Sequence, residues 1–202
     1  MADAEAIGGR PAPSRDRALL AQHGRGEAAA FAEFLKMHAS SIYGYLTRCG
    51  LQPAERDDLF QEIAFKLHRG ALEHPPEGNA RAWLFTITAN AVRSHLRKTK
   101  VRGIVQLHER PPERAQPPIE GPEEAALAQE TARWLEAEIG RLPLAQREAL
   151  LLCGVEGMEQ RDAADALGLP LGTLKTHLRR ARLGLAQASA RRDSRARREA
   201  ER

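Results

Sequence analysis

This sequence has almost no cysteine. Cys49 and Cys153 are the only two thiols in 202 residues. They lie far apart in apolar or helical surroundings, which fits reduced, buried thiols in a cytosolic protein better than a disulfide framework. Long hydrophobic runs are missing too. No stretch approaches the roughly 20 apolar residues of a membrane span, and the opening "MADAEAIGGRPAPSRDR" lacks the apolar core of about 7 to 15 residues that a secretory signal needs. The expectation is a soluble, cytoplasmic protein with no membrane insertion. There is no Gly-rich phosphate loop, no metal-spaced Cys or His cluster and no nucleophile motif. The seven histidines are scattered, and His68 and His74 read as surface residues rather than ligands. No catalytic residue, metal or cofactor is therefore expected, and the protein is read as a non-enzyme.

What is present is a chain with 42% hydrophobic residues, enough to bury a core in one or two domains. Its formal charge is +4 and its pI about 9.4, compatible with a polyanionic partner without demanding one. The position of the charge is more informative. Residues 1–25, rich in Ala, Gly, Pro and charge, are expected to fray. From Phe31, an apolar stripe of Phe31, Phe34, Leu35, His38, Ile42, Tyr45 and Leu46 predicts a helix that ends at Cys49-Gly50. A second helix starts near Pro53 and carries Leu59, Ile63 and Leu67 every fourth residue as far as Gly70. After the loop "ALEHPPEGN", Asn79 is placed to cap a third helix, "ARAWLFTITANAVRSHLRKTK", which turns basic at its end.

Residues 101–122 carry two Pro-Pro pairs and little apolar periodicity, which predicts an extended linker between two domains, 26–100 and 123–187. In the second domain Leu127, Thr131, Trp134, Leu135 and Ile139 mark a helix and Leu142-Pro143 a break; beyond it 188–202 is a basic tail or a prolongation of the last helix, with the solvated tail the preferred reading. Every element reads as helical, so the fold class is all-α. The segment "RDAADALGLPLGTLKTHLRRARLGL" fits a helix-turn-helix. Ala163, Ala164 and Ala166 permit close crossing, Gly168 takes the left-handed position, and Leu169 plugs the turn. In the second helix Leu174, Leu178 and Ala181 share one face. Gly172, Thr176, Arg179 and Arg180 share the other, flanked by Thr173, Lys175 and His177, with no acid outward. Such a helix suits the major groove: Arg179 and Arg180 can donate to guanine edges or phosphates, Lys175 to phosphate, and free amides near Gly172 and Thr173 to another. Arg182 extends the same surface. A solvated basic face on an ordinary helical hairpin is the alternative.

The run "LPLAQREALLLCGVEGMEQRDAADALGLPLGTLKTHLRRARLGL" resembles region four of bacterial sigma factors of the extracytoplasmic-function group, and equally the output domain of LuxR-type regulators. The first half separates them, because "RDDLFQEIAFKLHR" followed by "RAWLFTITANAVRSHLRK" is similar to region two of the same sigma factors. The resemblance implies a subunit that joins core RNA polymerase and directs initiation at chosen promoters. It places Asp58, Gln61 and Glu62 on the polymerase-docking helix. It places Trp83, Asn90, Arg93, His95, Arg97 and Lys98 on the helix that opens and holds the minus-10 element, and the Thr173 to Arg182 surface on the minus-35 element. Phe85 is a second aromatic in that third helix, and Lys100 and Arg102 continue its basic run. An anti-sigma factor is a further implied partner. The family commonly has Arg-Asn where this chain has Ala89-Asn90, and Asp-His where it has Ser94-His95. A stand-alone helix-turn-helix regulator, which binds duplex DNA without polymerase, and a sigma-mimicking adaptor, which binds an anti-sigma protein without starting transcription, remain the rival readings.

Overall fold

The structure, a computed structural model, describes residues 15–101 and 122–200. All regular structure among them is helical, in two bundles. The first contains α1 (Arg15–Gly24), α2 (Ala28–Arg48), α3 (Pro53–Glu73) and α4 (Ala80–Val101). The three- and four-residue spacing of apolar side chains does what helical geometry requires, because it keeps them on one face. Phe34, Ile42, Tyr45 and Leu46 of α2, Leu59, Ile63 and Leu67 of α3, and Leu84, Phe85, Ala89 and Val92 of α4 form one buried core. Proline stands in the first turn of α3, and the Glu55 carboxylate accepts from the Gln52 amide at 2.8 Å, satisfying a donor the helix leaves open. Asn79 caps α4 as expected: its Oδ1 accepts from the Arg81 and Ala82 amides at 3.0 and 3.3 Å.

The expected fraying of residues 1–25 does not hold over 15–24. Leu19, Leu20 and His23 of α1 are buried against the bundle, so burial on tertiary contact orders a helix too short and too weakly patterned to announce itself. Residues 1–14 lie outside the described residues, as does 102–121, which holds nearly all of the expected linker.

The second bundle contains α5 (Pro122–Arg141), α6 (Leu144–Leu150) running into a π-helical turn (Leu151–Val155), α7 (Gln160–Leu167) and α8 (Leu171–Ala200). The expected break at Leu142-Pro143 separates α5 from α6. As far as Ala200 the basic C-terminal stretch prolongs α8. Arg192 pins it, with its guanidinium 5.1 Å from the centre of the Trp134 ring and its Nη2 2.9 Å from Glu130 of α5.

The two bundles are docked. α4 lies along α7, α5 and α6 cover the end of α2, and the buried apolar residues of both halves join in one cluster. Arg48 of α2 grips Glu136 of α5 at 2.7–3.1 Å. Both cysteines are unbonded, Cys49 buried and Cys153 partly so.

Candidate nucleic-acid interface

The angle between α7 and α8 is set at Gly168, whose backbone lies at φ 62° and ψ 37°. This left-handed conformation costs a residue with a Cβ roughly 1–2 kcal/mol. The Gly168 amide donates to the Asp165 carbonyl at 3.0 Å and the Leu169 amide to the Ala164 carbonyl at 2.9 Å, a Schellman closure that satisfies the last carbonyls of α7. Ala163, Ala164 and Ala166 are buried, as are Leu174, Leu178 and Ala181 of α8. The apolar face therefore fixes which side of α8 looks outward.

On that side Gly172, Lys175, Arg179, Arg180 and Arg182 are exposed, while Thr173, Thr176 and His177 are half-buried. No acid interrupts the surface from Thr173 to Arg182, so it presents an uncompensated positive field suited to phosphate. One expectation needs correction. The Thr173 amide is not free, because it donates to the Pro170 carbonyl at 2.9 Å, where the Leu174 amide also binds at 3.0 Å. The start of a helix tightens in this way to satisfy its own donors. The Thr176 hydroxyl is likewise spent on the Gly172 carbonyl at 2.9 Å, and His177 turns its Nδ1 into the protein. The lysine and arginines remain as the groups that reach outward. Leu183, 55% exposed, borders a shallow hollow between Gln160 and the Lys175, Arg179 and Arg182 side chains.

The expected residues of α4 divide. Asn90, Arg97 and Lys98 are exposed, with Arg97 Nη2 3.1 Å from the Ser94 hydroxyl. Trp83 is half-buried against Gly70 of α3, so close that a Cβ on Gly70 would sit 3.0 Å from the indole Cζ2. The glycine is what lets the indole lie down on α3. Phe85 is fully buried and belongs to the core. His95 is turned aside, its Nε2 3.0 Å from Glu55 Oε1.

Arg93 is the largest departure. Its Nε lies 3.0 Å from both Glu148 carboxylate oxygens, its Nη2 2.9 Å from Oε2, and its Nη1 2.6 Å from the Leu167 carbonyl. Every guanidinium nitrogen is thus bound to the second bundle. Glu148, 1% exposed, also accepts from the Tyr45 hydroxyl at 3.1 Å. Beside it Arg147 donates to the Arg48 carbonyl at 3.1 Å, to the Leu142 carbonyl at 3.0 Å and to the Gly140 carbonyl. Burial pushes the Tyr45 phenol and the Cys49 thiol well above their ordinary ranges and lowers Arg147. Sequence reasoning did not find this cluster. A glutamate and an arginine that meet across 55 positions carry no local signal.

On the outer side of α3, opposite Leu59, Ile63 and Leu67, the side chains of Asp58, Gln61 and Glu62 are exposed, with Glu62 paired to Lys66 one turn on. Phe65 stands on the same side, 61% exposed. It was missed, although the spacing of Leu59, Ile63 and Leu67 already places residue 65 off the core face. A large exposed aromatic among polar groups is the composition of a protein-docking surface.

The residues that carry these surfaces match two family models, Sigma-70 region 2 over residues 34–102 and Sigma-70, region 4 over residues 132–185. Those two regions together define a sigma-70-type initiation factor. The chain is 30% identical over 155 residues to the ECF RNA polymerase sigma factor RpoE of Cereibacter sphaeroides, across 75% of this chain and 81% of that one. Its fold is similar to that of CnrH, solved in complex with the cytosolic domain of CnrY, with TM-score 0.64 and 24% identity over 87% of this chain and 97% of that chain. It is also similar to the sigma factor RpoE of Bartonella quintana, solved with the anti-sigma factor NepR, with TM-score 0.61 and 24% identity over 78% of this chain and 94% of that chain. The chain belongs to the extracytoplasmic-function (ECF) RNA polymerase sigma factors, which join core RNA polymerase and direct promoter-specific initiation. No helix among the described residues is long and apolar enough to cross a membrane.

Proposed function

We propose a division of labour along the chain. Domain 26–100 docks on core polymerase through Asp58, Gln61, Glu62 and Phe65 and holds the minus-10 element through Trp83, Asn90, Arg97 and Lys98. Domain 123–187 reads the minus-35 element through Lys175, Arg179, Arg180 and Arg182, and residues 101–122 span between them. The observation that carries this reading is the opposition of the two outward faces: polar and acidic on α3, acid-free and cationic on α8 from Thr173 to Arg182. A basic helix that meets phosphates gains affinity by releasing counterions, while an acidic, aromatic-bearing helix suits a basic protein surface.

Arg93 and His95 join the minus-10 contacts in this reading once Glu148 and Glu55 release them. Each DNA contact is individually weak, and tethering to polymerase raises the effective concentration of one for the other. The chain supplies position and specificity, and nucleotide chemistry belongs to the polymerase. A cytoplasmic location follows, with an anti-sigma factor as regulator, a reading supported by the partner with which the Bartonella quintana RpoE was solved.

Run-off transcription with purified core polymerase on a promoter library tests the reading. Initiation that depends on this chain, from a recurrent pair of upstream elements, is the expected result. Failure to initiate from any member of the library overturns it, and tight duplex binding without polymerase would favour the stand-alone regulator.

A further inference from the structure

The contact between the two halves falls on the surface that region two needs for DNA. We infer that the free chain is autoinhibited: Glu148 of α6 latches Arg93 and Tyr45 and folds the second bundle over the DNA-facing side of α4, so that promoter binding requires the latch to open. This rests on α4 being the minus-10 helix.

Three observations carry it. The first is chemical. All three guanidinium nitrogens of Arg93 are bound to Glu148 or to the Leu167 carbonyl, so its charge is already compensated and only one N–H on each terminal nitrogen is left over for a phosphate. The second is positional. Arg81 Nη2 reaches Glu156 at 2.6 Å and Asn79 Nδ2 reaches Asp162 at 2.6 Å, which anchors the near end of α4 as Arg93 anchors the far end. Between these anchors α4 lies along α7. The third is the kind of bond. A carboxylate 1% exposed is costly to hold without its partners, so this contact behaves as an all-or-none latch rather than a loose surface association. Arg147 and Cys49 also interact with Glu148 electrostatically.

Cys49 reports the state of the latch. It is 4% exposed, at the end of α2 that α6 covers. A population shift toward the open form raises both its alkylation rate and the apparent affinity for DNA, because each is reduced by the fraction of chains that are closed.

The experiment compares the wild-type full chain with Glu148→Gln by peptide-resolved alkylation and by binding to a mixed-sequence single-stranded DNA oligonucleotide, without polymerase. Glu148→Gln is expected to raise the Cys49 rate and the DNA affinity about tenfold or more, with unchanged helical circular dichroism. Arg93→Gln in the same background should remove most of the DNA gain. If Glu148→Gln does not fold, Glu136→Gln with Glu156→Gln, which weakens the rim and spares Glu148, is expected to move both readouts in the same direction. Equal Cys49 rates in wild type and variant overturn the latch and leave the reading of α4 untouched. A faster Cys49 with unchanged DNA affinity overturns autoinhibition and counts against α4 as a DNA-binding helix.

Discussion

The imidazoles of His23 and His68 lie 4.8 Å apart, centre to centre, and His23 is the one enclosed, 4% exposed with neither nitrogen hydrogen-bonded among the described residues. Phe31 packs on it at 4.9 Å. Next door, His38 Nε2 stands 3.0 Å from Asp16 Oδ1, at ion-pair distance without hydrogen-bond alignment. α1 is thus held down with the His23 ring enclosed between Phe31 and His68.

Burial first, and the neighbouring His68 second, keep the His23 pKa below its ordinary 6.5. When α1 undocks the ordinary value returns, so the undocked state binds more protons in the window below 6.5. Docking stability is then fully present above about pH 6.5 and is lost as the pH falls toward the lowered value. Protection factors of the α1 amides, taken against the slower intrinsic exchange in acid, should fall on acidification through that window, and His23→Phe should flatten the dependence. The same fall in wild type and variant would remove His23 as its source.

Arg147 is 7% exposed and serves the carbonyls of Gly140, Leu142 and Arg48. Arg147→Met keeps much of the apolar stem but strands those oxygens. The expected cost is about 3 kcal/mol, read as a fall in the urea midpoint. A loss below the resolution of the titration would show that water replaces the guanidinium without penalty.

Phe65 contributes little to the core at 61% exposure. Phe65→Ala should leave folding stability within about 0.5 kcal/mol of wild type while weakening binding to core polymerase by about 1–2 kcal/mol. Comparing thermal melts with polymerase pull-down titrations checks both halves, and unchanged polymerase affinity would remove Phe65 from the docking surface.

Arg179 projects from the outward face of α8. Arg179→Ala should cost about 1–3 kcal/mol of discrimination at the minus-35 element and leave polymerase binding intact. Loss of polymerase binding in that variant would reverse the proposed division of labour.

Much of this molecule was legible in one dimension. Local periodicity marked α2, α3 and α4 because a buried helical face must recur every three or four residues. Gly168 was legible because an αL turn excludes most other residues, and the α8 surface because an acid-free run beside an apolar face leaves the cations outward. α1 was not legible: its stability comes from Leu19, Leu20 and His23 meeting other helices, not from its own pattern. The continuation of α8 depends in the same way on Arg192 finding Trp134.

By itself the sequence determined α2, α3 and α4, the turn before α8 and the residue types able to meet phosphate or a basic protein surface, since these depend on neighbours a few positions apart. Only the tertiary structure decided which of those residues are available. Arg93 carries the same charge as Arg97, yet one is bound by Glu148 and the other is exposed. That difference arises from a pairing across 55 positions, in a buried site where an unpaired charge cannot persist.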